Sequence, residues 1–237
     1  MHKNFVPFLP GLLMVAHLAS AATIIVDPNP IVEAGSITSN VTGADMAGLT
    51  VTATYASPMA PFSFTAIWQA TGPNSGGVAG PSPFPDEPAF TVSLTGNTID
   101  SLAWKYTSTV LSPLLSLEFD GSDAGIYFDR SHTGPGTPGS GPGNDIMFGP
   151  LSPAGIDSSF VVTYSSAVAL DGVAPRNDLY AKLTIDFPNS LTGPAEFQPQ
   201  DFSFTQETVA NIVPEPPSWL LALCGLVTAG QFVKRRI

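Results

Sequence analysis

Apolar and polar residues alternate along several short stretches in the middle of the chain. In residues 49–55 the odd positions are Leu, Val, Ala and Tyr and the even positions are threonines, which predicts a strand with one face in a core. Similar stretches, bounded by Gly, Pro, Ser or Asn, predict further strands at residues 37–41, 62–68, 90–94, 99–106, 114–119, 126–128, 160–169, 179–187 and 202–205. No window shows the spacing of an amphipathic helix, so the pattern indicates an all-β chain.

About ten strands without helices favour an antiparallel two-sheet sandwich, jelly-roll-like, spanning residues 22–205. Aromatic residues on alternate strand positions are expected to fill the space between the sheets, among them Phe62, Phe64, Trp68, Trp104 and Tyr106. Two segments rich in Gly and Pro, 72–88 and 133–144, are predicted as surface loops because neither residue suits a regular ladder. Residues 206–213 are predicted as a linker.

Charge narrows the range of partners. The 237 residues carry a net charge of −11, and only 11% of them are charged, against about 25% in typical soluble domains. Within residues 22–213, eighteen acids face four cations, which are Lys105, Arg130, Arg176 and Lys182. An acidic surface of this kind repels phosphate backbones, so nucleic-acid binding is not expected, whereas divalent cations or basic partners would be attracted.

The cysteine content excludes stabilisation of the middle region by disulfides or by zinc bound to cysteine thiolates. The one cysteine, Cys224, lies in the apolar stretch near the C-terminus. Residues 22–213 can therefore form neither a disulfide nor a zinc site built on thiolates. Their stability is expected to come from the apolar core, since 43% of all residues are hydrophobic.

The N-terminal region has the pattern of a secretory signal peptide in residues 1–21. Lys3 provides the positive start, residues 5–18 are largely apolar, and an Ala-Ser-Ala sequence ends at Ala21. Small residues at these positions are what signal peptidase requires, so we expect cleavage between Ala21 and Ala22. This predicts export from the cytoplasm.

The C-terminal region has three parts in a fixed order. Pro214, Glu215 and Pro216 come first, an apolar run of 15 residues covers 219–233, and basic residues fill 234–236. The apolar run is shorter than the roughly 20 residues of a typical membrane-spanning helix, and the basic end would stay on the cytoplasmic side. The tail therefore predicts a transient anchor in the inner membrane that holds a folded domain outside, with no other membrane contact.

This tripartite tail, residues 214–237, closely resembles the PEP-CTERM sorting signal. The resemblance implies recognition by an exosortase, a membrane-embedded transpeptidase-like enzyme of Gram-negative bacteria that make extracellular polysaccharide. It also implies cleavage near Pro214, Glu215 and Pro216 and delivery of the product to the cell surface or the medium. Signal peptidase and exosortase are thus the expected partners during export, and extracellular polysaccharide is an expected partner afterwards.

The middle region offers little sign of catalysis. After signal cleavage one histidine remains, His132, and no Gly-x-Ser-x-Gly sequence supplies an activated serine. A glycoside hydrolase needs two carboxylates at a set separation, and the sequence does not single out a pair among eighteen acids. We therefore expect a protein that is not an enzyme and has a structural or interaction role, with a glycoside hydrolase as the less favoured alternative.

Two binding functions remain open on the same fold. Asp120 and Asp123 lie on a predicted tight turn, and Asp129 follows the next strand, so these three could hold calcium through carboxylate oxygens. No other cofactor is expected. Carbohydrate binding would need exposed aromatic side chains, and the residues to check are Trp68, Trp104 and Tyr127, most of which the alternation assigns to the core.

Overall fold

The chain folds into strands joined by turns and loops, without a helix in the part that the structure describes. The structure is a computed structural model that describes residues 23–27, 30–33, 35–81, 87–149, 161–170, 173, 176–187 and 201–212. The predicted signal peptide and sorting tail lie outside these residues. Within them, no helix has the length and apolar character needed to cross a membrane.

The larger sheet has ten strands. Seven follow one another in the order Ser36–Thr38 (β3), Thr208–Ile212 (β16), Ile126–Asp129 (β11), Leu179–Asp186 (β14), Leu114–Asp120 (β10), Thr50–Tyr55 (β4) and Phe62–Ile67 (β5). Val161–Leu170 (β13) also pairs with β14, and Thr23–Val26 (β1) and Pro30–Glu33 (β2) pair in parallel with successive parts of β13. All other pairs in this sheet are antiparallel.

The smaller sheet has six strands and is antiparallel throughout. Its order is Met147–Phe148 (β12), Asp201–Thr205 (β15), Trp104–Ser108 (β9), Phe90–Thr95 (β8), Ser75–Ala79 (β7) and Gln69–Gly72 (β6). Four of these strands, β6 to β9, are consecutive in the chain, so short connections build most of this sheet.

The two sheets face each other across an aromatic core, which confirms the predicted sandwich. Trp104 on β9 meets Phe119 on β10 edge to face, with ring centroids 5.5 Å apart, and stacks on Phe204 of its own sheet at 5.3 Å. The hydroxyl groups of Tyr55 on β4 and Tyr106 on β9 are 2.8 Å apart and join the sheets by a buried hydrogen bond. Contacts of this kind combine large buried areas with specific geometry.

Alternation predicted the core face of β4 correctly. Leu49, Val51, Ala53 and Tyr55 are all fully buried, while the threonines between them are partly exposed. The same pattern on β5 gives only half-buried phenylalanines, because β5 is the last strand of its sheet.

Three predicted boundaries are corrected by the structure. Residues 208–212, predicted as part of a linker, form β16 in the interior of the larger sheet. Residues 75–79, predicted as loop, form β7, where glycines occupy the strand. The strand predicted at 99–106 begins only at Trp104, because residues 97–102 form turns in which the Asp100 carboxylate accepts a hydrogen bond from the Asn97 N–H.

Glycine is required on β7 by the packing of Trp68. The indole Nε1 of Trp68 donates a hydrogen bond of 2.7 Å to the carbonyl oxygen of Gly43. A Cβ atom on Gly76 would overlap both that carbonyl oxygen and Nε1. The absence of a side chain at Gly76 therefore lets a buried tryptophan satisfy its single donor.

Candidate functional site

Asp120, one of the three predicted calcium ligands, is engaged in an ion pair at the end of β10. Its Oδ2 lies 2.6 Å from Nζ of Lys182, and its Oδ1 accepts a hydrogen bond from the Ser122 N–H at 3.0 Å. Partial burial acts to raise the pKa of Asp120, but these bonds from Lys182 and Ser122 hold it below its usual value. Asp123 is exposed in the following turn.

Asp129 lies apart from the other two predicted ligands. Asp120 on β10 is opposite Lys182 of β14, whereas Asp129 on β11 is opposite Leu179, which comes three residues before Lys182 in the same strand. The strands β10 and β11 also lie on different sides of β14. Among the described residues, no group of three or more His, Cys, Asp or Glu side chains is placed to hold a metal ion. The structure therefore does not gather the three predicted aspartates into one set of ligands.

Asp129 instead meets two acids that the sequence did not single out. The Asp129 N–H donates to the carbonyl oxygen of Glu207 at 3.0 Å, and the Arg130 N–H donates to that of Asp178 at 2.7 Å. Because β11 runs antiparallel to both β14 and β16, its last residue lies beside the residues that precede those strands. Asp129, Asp178 and Glu207 thus form an acidic cluster at one edge of the sheet.

The Gly- and Pro-rich segment 133–144, hereafter the covering loop, is tied to this acidic cluster. Asp178 accepts hydrogen bonds from the Thr137 N–H at 2.5 Å and the Thr137 hydroxyl at 2.8 Å. Glu207 Oε2 accepts one from the Asn144 side-chain amide at 2.5 Å. Carboxylates thus bind a loop whose prolines have no N–H to contribute to a ladder.

Asp129 differs from the other two acids of the cluster because its carboxylate accepts no hydrogen bond from a described residue. Its side chain is fully buried, and neither carboxylate oxygen has a hydrogen-bond partner in the described part of the chain. Burial, followed by the nearby carboxylates of Glu207 and Asp178, raises the pKa of Asp129 to about 8. The group is thus held in an environment that disfavours its negative charge.

A buried hydrogen-bond network around Gln206 and Tyr164 lies next to the acidic cluster. Gln206 Nε2 donates to the carbonyl oxygens of Asp129 at 3.2 Å and Glu207 at 2.9 Å. Gln206 Oε1 accepts a bond of 2.6 Å from the hydroxyl of Tyr164, which in turn accepts the Ile146 N–H at 3.2 Å. This network fixes the backbone around Asp129 without reaching its carboxylate.

A pocket of about 530 Å³ next to the acidic cluster has two arginine residues, Arg130 and Arg176, in its lining. It is lined by Arg130, Ser131, His132, Thr133, Arg176 and Asn177. Arg130 Nε is 3.0 Å from Asp145 Oδ1, and Arg176 donates to the carbonyl oxygens of Pro135 and Gly136. Since none of the described residues that line this pocket has a carboxyl group, they do not offer the paired acids of a glycoside hydrolase.

The aromatic residues considered for sugar binding are inside the sandwich. Trp68, Trp104 and Tyr127 are all fully buried, as the alternation predicted for most of them. None of the three presents a ring face to a ligand at the surface.

Comparisons with protein-family models, with curated proteins and with solved structures give no match. The sorting residues Pro214, Glu215 and Pro216 and the cleavage residues Ala21 and Ala22 lie outside the described residues.

Proposed function

We propose that this chain is an exported protein of the cell surface or extracellular matrix, sorted by an exosortase and acting without catalysis. The observation that carries the proposal is the C-terminal order of Pro214, Glu215 and Pro216, an apolar run at 219–233 and a basic end at 234–236. The apolar run holds the chain in the inner membrane until cleavage near the three-residue motif releases the domain.

The composition of the middle region suits a role outside the cell. The sandwich has a closely packed aromatic core and no cysteine in residues 22–213, so its folding does not depend on an oxidant. Its acidic composition supports a structural or interaction role, with extracellular polysaccharide as the proposed partner.

The sorting step is tested in the producing strain. Replacing Pro214, Glu215 and Pro216 by alanine, or deleting the exosortase gene, is expected to leave a larger protein in the inner-membrane fraction. The matched control is alanine at Pro217 and Ser218, which lie just after the motif and are expected to leave sorting intact. Immunoblotting of fractions and mass spectrometry of the C-terminus give the readout; unchanged size and location in the motif variant would refute the proposal.

A further inference from the structure

The carboxylate of Asp129 has no compensating charge in the described part of the chain. Both of its oxygens are buried and receive no hydrogen bond. Its neighbour Arg130 is paired with Asp145 and lies over the ring of Tyr164 at 5.9 Å, so it does not neutralise Asp129. A buried carboxyl group in this situation must either keep its proton or face a bound cation.

The surroundings favour a cation. The backbone bonds from Asp129 to Glu207 and from Arg130 to Asp178 bring these two acids beside Asp129, and a group of carboxylates attracts a positive ion. Asp178 already uses both oxygens for Thr137, whereas Glu207 Oε1 accepts no hydrogen bond from a described residue. Both carboxylate oxygens of Asp129 and Oε1 of Glu207 are therefore available as ligands of a cation.

The covering loop brings bare backbone against this site. Gly143 has a φ of 67°, and a Cβ there would lie 2.5 Å from Asp129 Oδ1 and would overlap the carbonyl oxygen of Arg130. The next residue, Asn144, donates its N–H to the Asp129 carbonyl at 3.3 Å. The backbone of the covering loop at Gly143 therefore lies against Asp129 Oδ1, at a separation that a residue with a side chain would not allow.

We propose that Asp129 and Glu207 bind one calcium ion beneath the covering loop, at the strand ends of the larger sheet where they lie side by side. Calcium takes carboxylate and carbonyl oxygens in flexible geometry, whereas magnesium needs a nearly ideal octahedron. The site would have two protein carboxylates, since no group of three or more His, Cys, Asp or Glu side chains among the described residues is placed to hold a metal ion. Of the aspartates that the sequence suggested, only Asp129 belongs to this site.

Bound calcium would fasten the covering loop to the strand ends. The loop is also attached by the bonds from Thr137 to Asp178, from Asn144 to Glu207 and from Arg176 to loop carbonyls, among others. An ion between Asp129 and Glu207 would convert mutual repulsion into attraction at the same place. The calcium site involves none of the residues of the sorting tail, so each of the two proposals can be refuted without affecting the other.

The test uses the purified protein freed of divalent ions, examined by calorimetric melting and by titration calorimetry with calcium chloride. At a calcium concentration about 100 times the Kd, the melting temperature is expected to rise by roughly 5–10 °C. Magnesium chloride at the same concentration is expected to produce a smaller rise. Asp129→Asn and Glu207→Gln should abolish the calcium response, whereas Asp120→Asn, which loses the partly buried ion pair with Lys182, should keep it.

Proton release separates the proposal from its rival, a neutral and permanently protonated Asp129. Titrations at pH 7 in buffers of different ionisation enthalpy are expected to show about one proton released for each calcium bound, and none for Asp129→Asn. Native-like circular dichroism of Asp129→Asn verifies that the variant is folded. The proposal is overturned if the native protein shows neither calcium heat nor a melting shift, or if Asp129→Asn still binds.

Discussion

The carboxyl group of Asp129 couples the stability of the fold to pH. Its pKa is about 8 in the folded protein because of burial and the nearby Glu207 and Asp178, against about 4 in an unfolded chain. Between these values the folded state holds a proton that the unfolded state has lost. Stability is therefore highest below pH 4 as far as this group is concerned, and it falls as pH rises to about 8.

We predict that Asp129→Asn removes this pH dependence when no divalent cation is present. In the native protein the group is expected to lower the free energy of unfolding by on the order of 1 kcal/mol for each pH unit between roughly 4 and 8. Urea unfolding from pH 5 to 9 measures it, and the variant should be the more stable protein at pH 9. Asp120→Asn serves as control because its carboxylate is already ion-paired; an unchanged slope in Asp129→Asn would contradict the assignment.

The sequence pattern predicts the buried positions of individual strands well, but it does not predict which acids lie beside Asp129. Alternation correctly assigned Leu49, Val51 and Tyr55 to the core, because a two-residue period is a local property. It selected Asp129 but gave it the wrong neighbours in space, since Asp178 and Glu207 come beside it only through strand pairing. Those two acids carry no local signal that separates them from the other acids in the chain.

At the level of elements, β16 shows why a strand can escape pattern analysis. It has five residues, Thr-Val-Ala-Asn-Ile, and follows the polar Gln206 and Glu207, so the apolar alternation is short and weak. Its position between β3 and β11 nevertheless buries Thr208 and Val209 completely. Its strand character comes from its neighbours on both sides, which supply partners for its backbone groups.

Truncation distinguishes a strand from a linker at this position. A chain ending after residue 213 is expected to keep the cooperative unfolding of the sandwich. A chain ending after residue 205 should lose it, because removing β16 exposes the edges of β3 and β11 and deletes the buried Gln206 and Val209. Circular dichroism melting and gel filtration provide the comparison; two equally folded proteins would restore the linker interpretation.

At the scale of the whole molecule, the count of strands and the absence of helices were enough to predict a two-sheet sandwich. The pairing order was not predictable, because the larger sheet joins strands far apart in sequence, such as β3 with β16. The two sheets are held together by aromatic contacts, such as that between Trp104 and Phe119, which no local pattern reveals.

The distribution of charge predicts which polymers the molecule avoids. Of the four cations in residues 22–213, Lys182 pairs with Asp120, Arg130 pairs with Asp145, and Arg176 is bonded to carbonyl oxygens. Little positive charge is left for a polyanion, so we predict no binding to DNA or heparin at 150 mM salt. Gel-shift and heparin-column measurements check this, with lysozyme as a binding control; retention on heparin would contradict it.

The parallel pairing of β1 with β13 has a consequence for the order of events during folding. Thr23–Val26 finds its partner Val161–Tyr164 only after about 140 further residues have been made, and β3 waits still longer for β16. Contacts so distant in sequence form slowly, because a large loop must be closed before any of them is gained. The larger sheet can therefore be completed only late, when almost the whole chain has been synthesised, and β1 and β3 must wait until then for their partners β13 and β16.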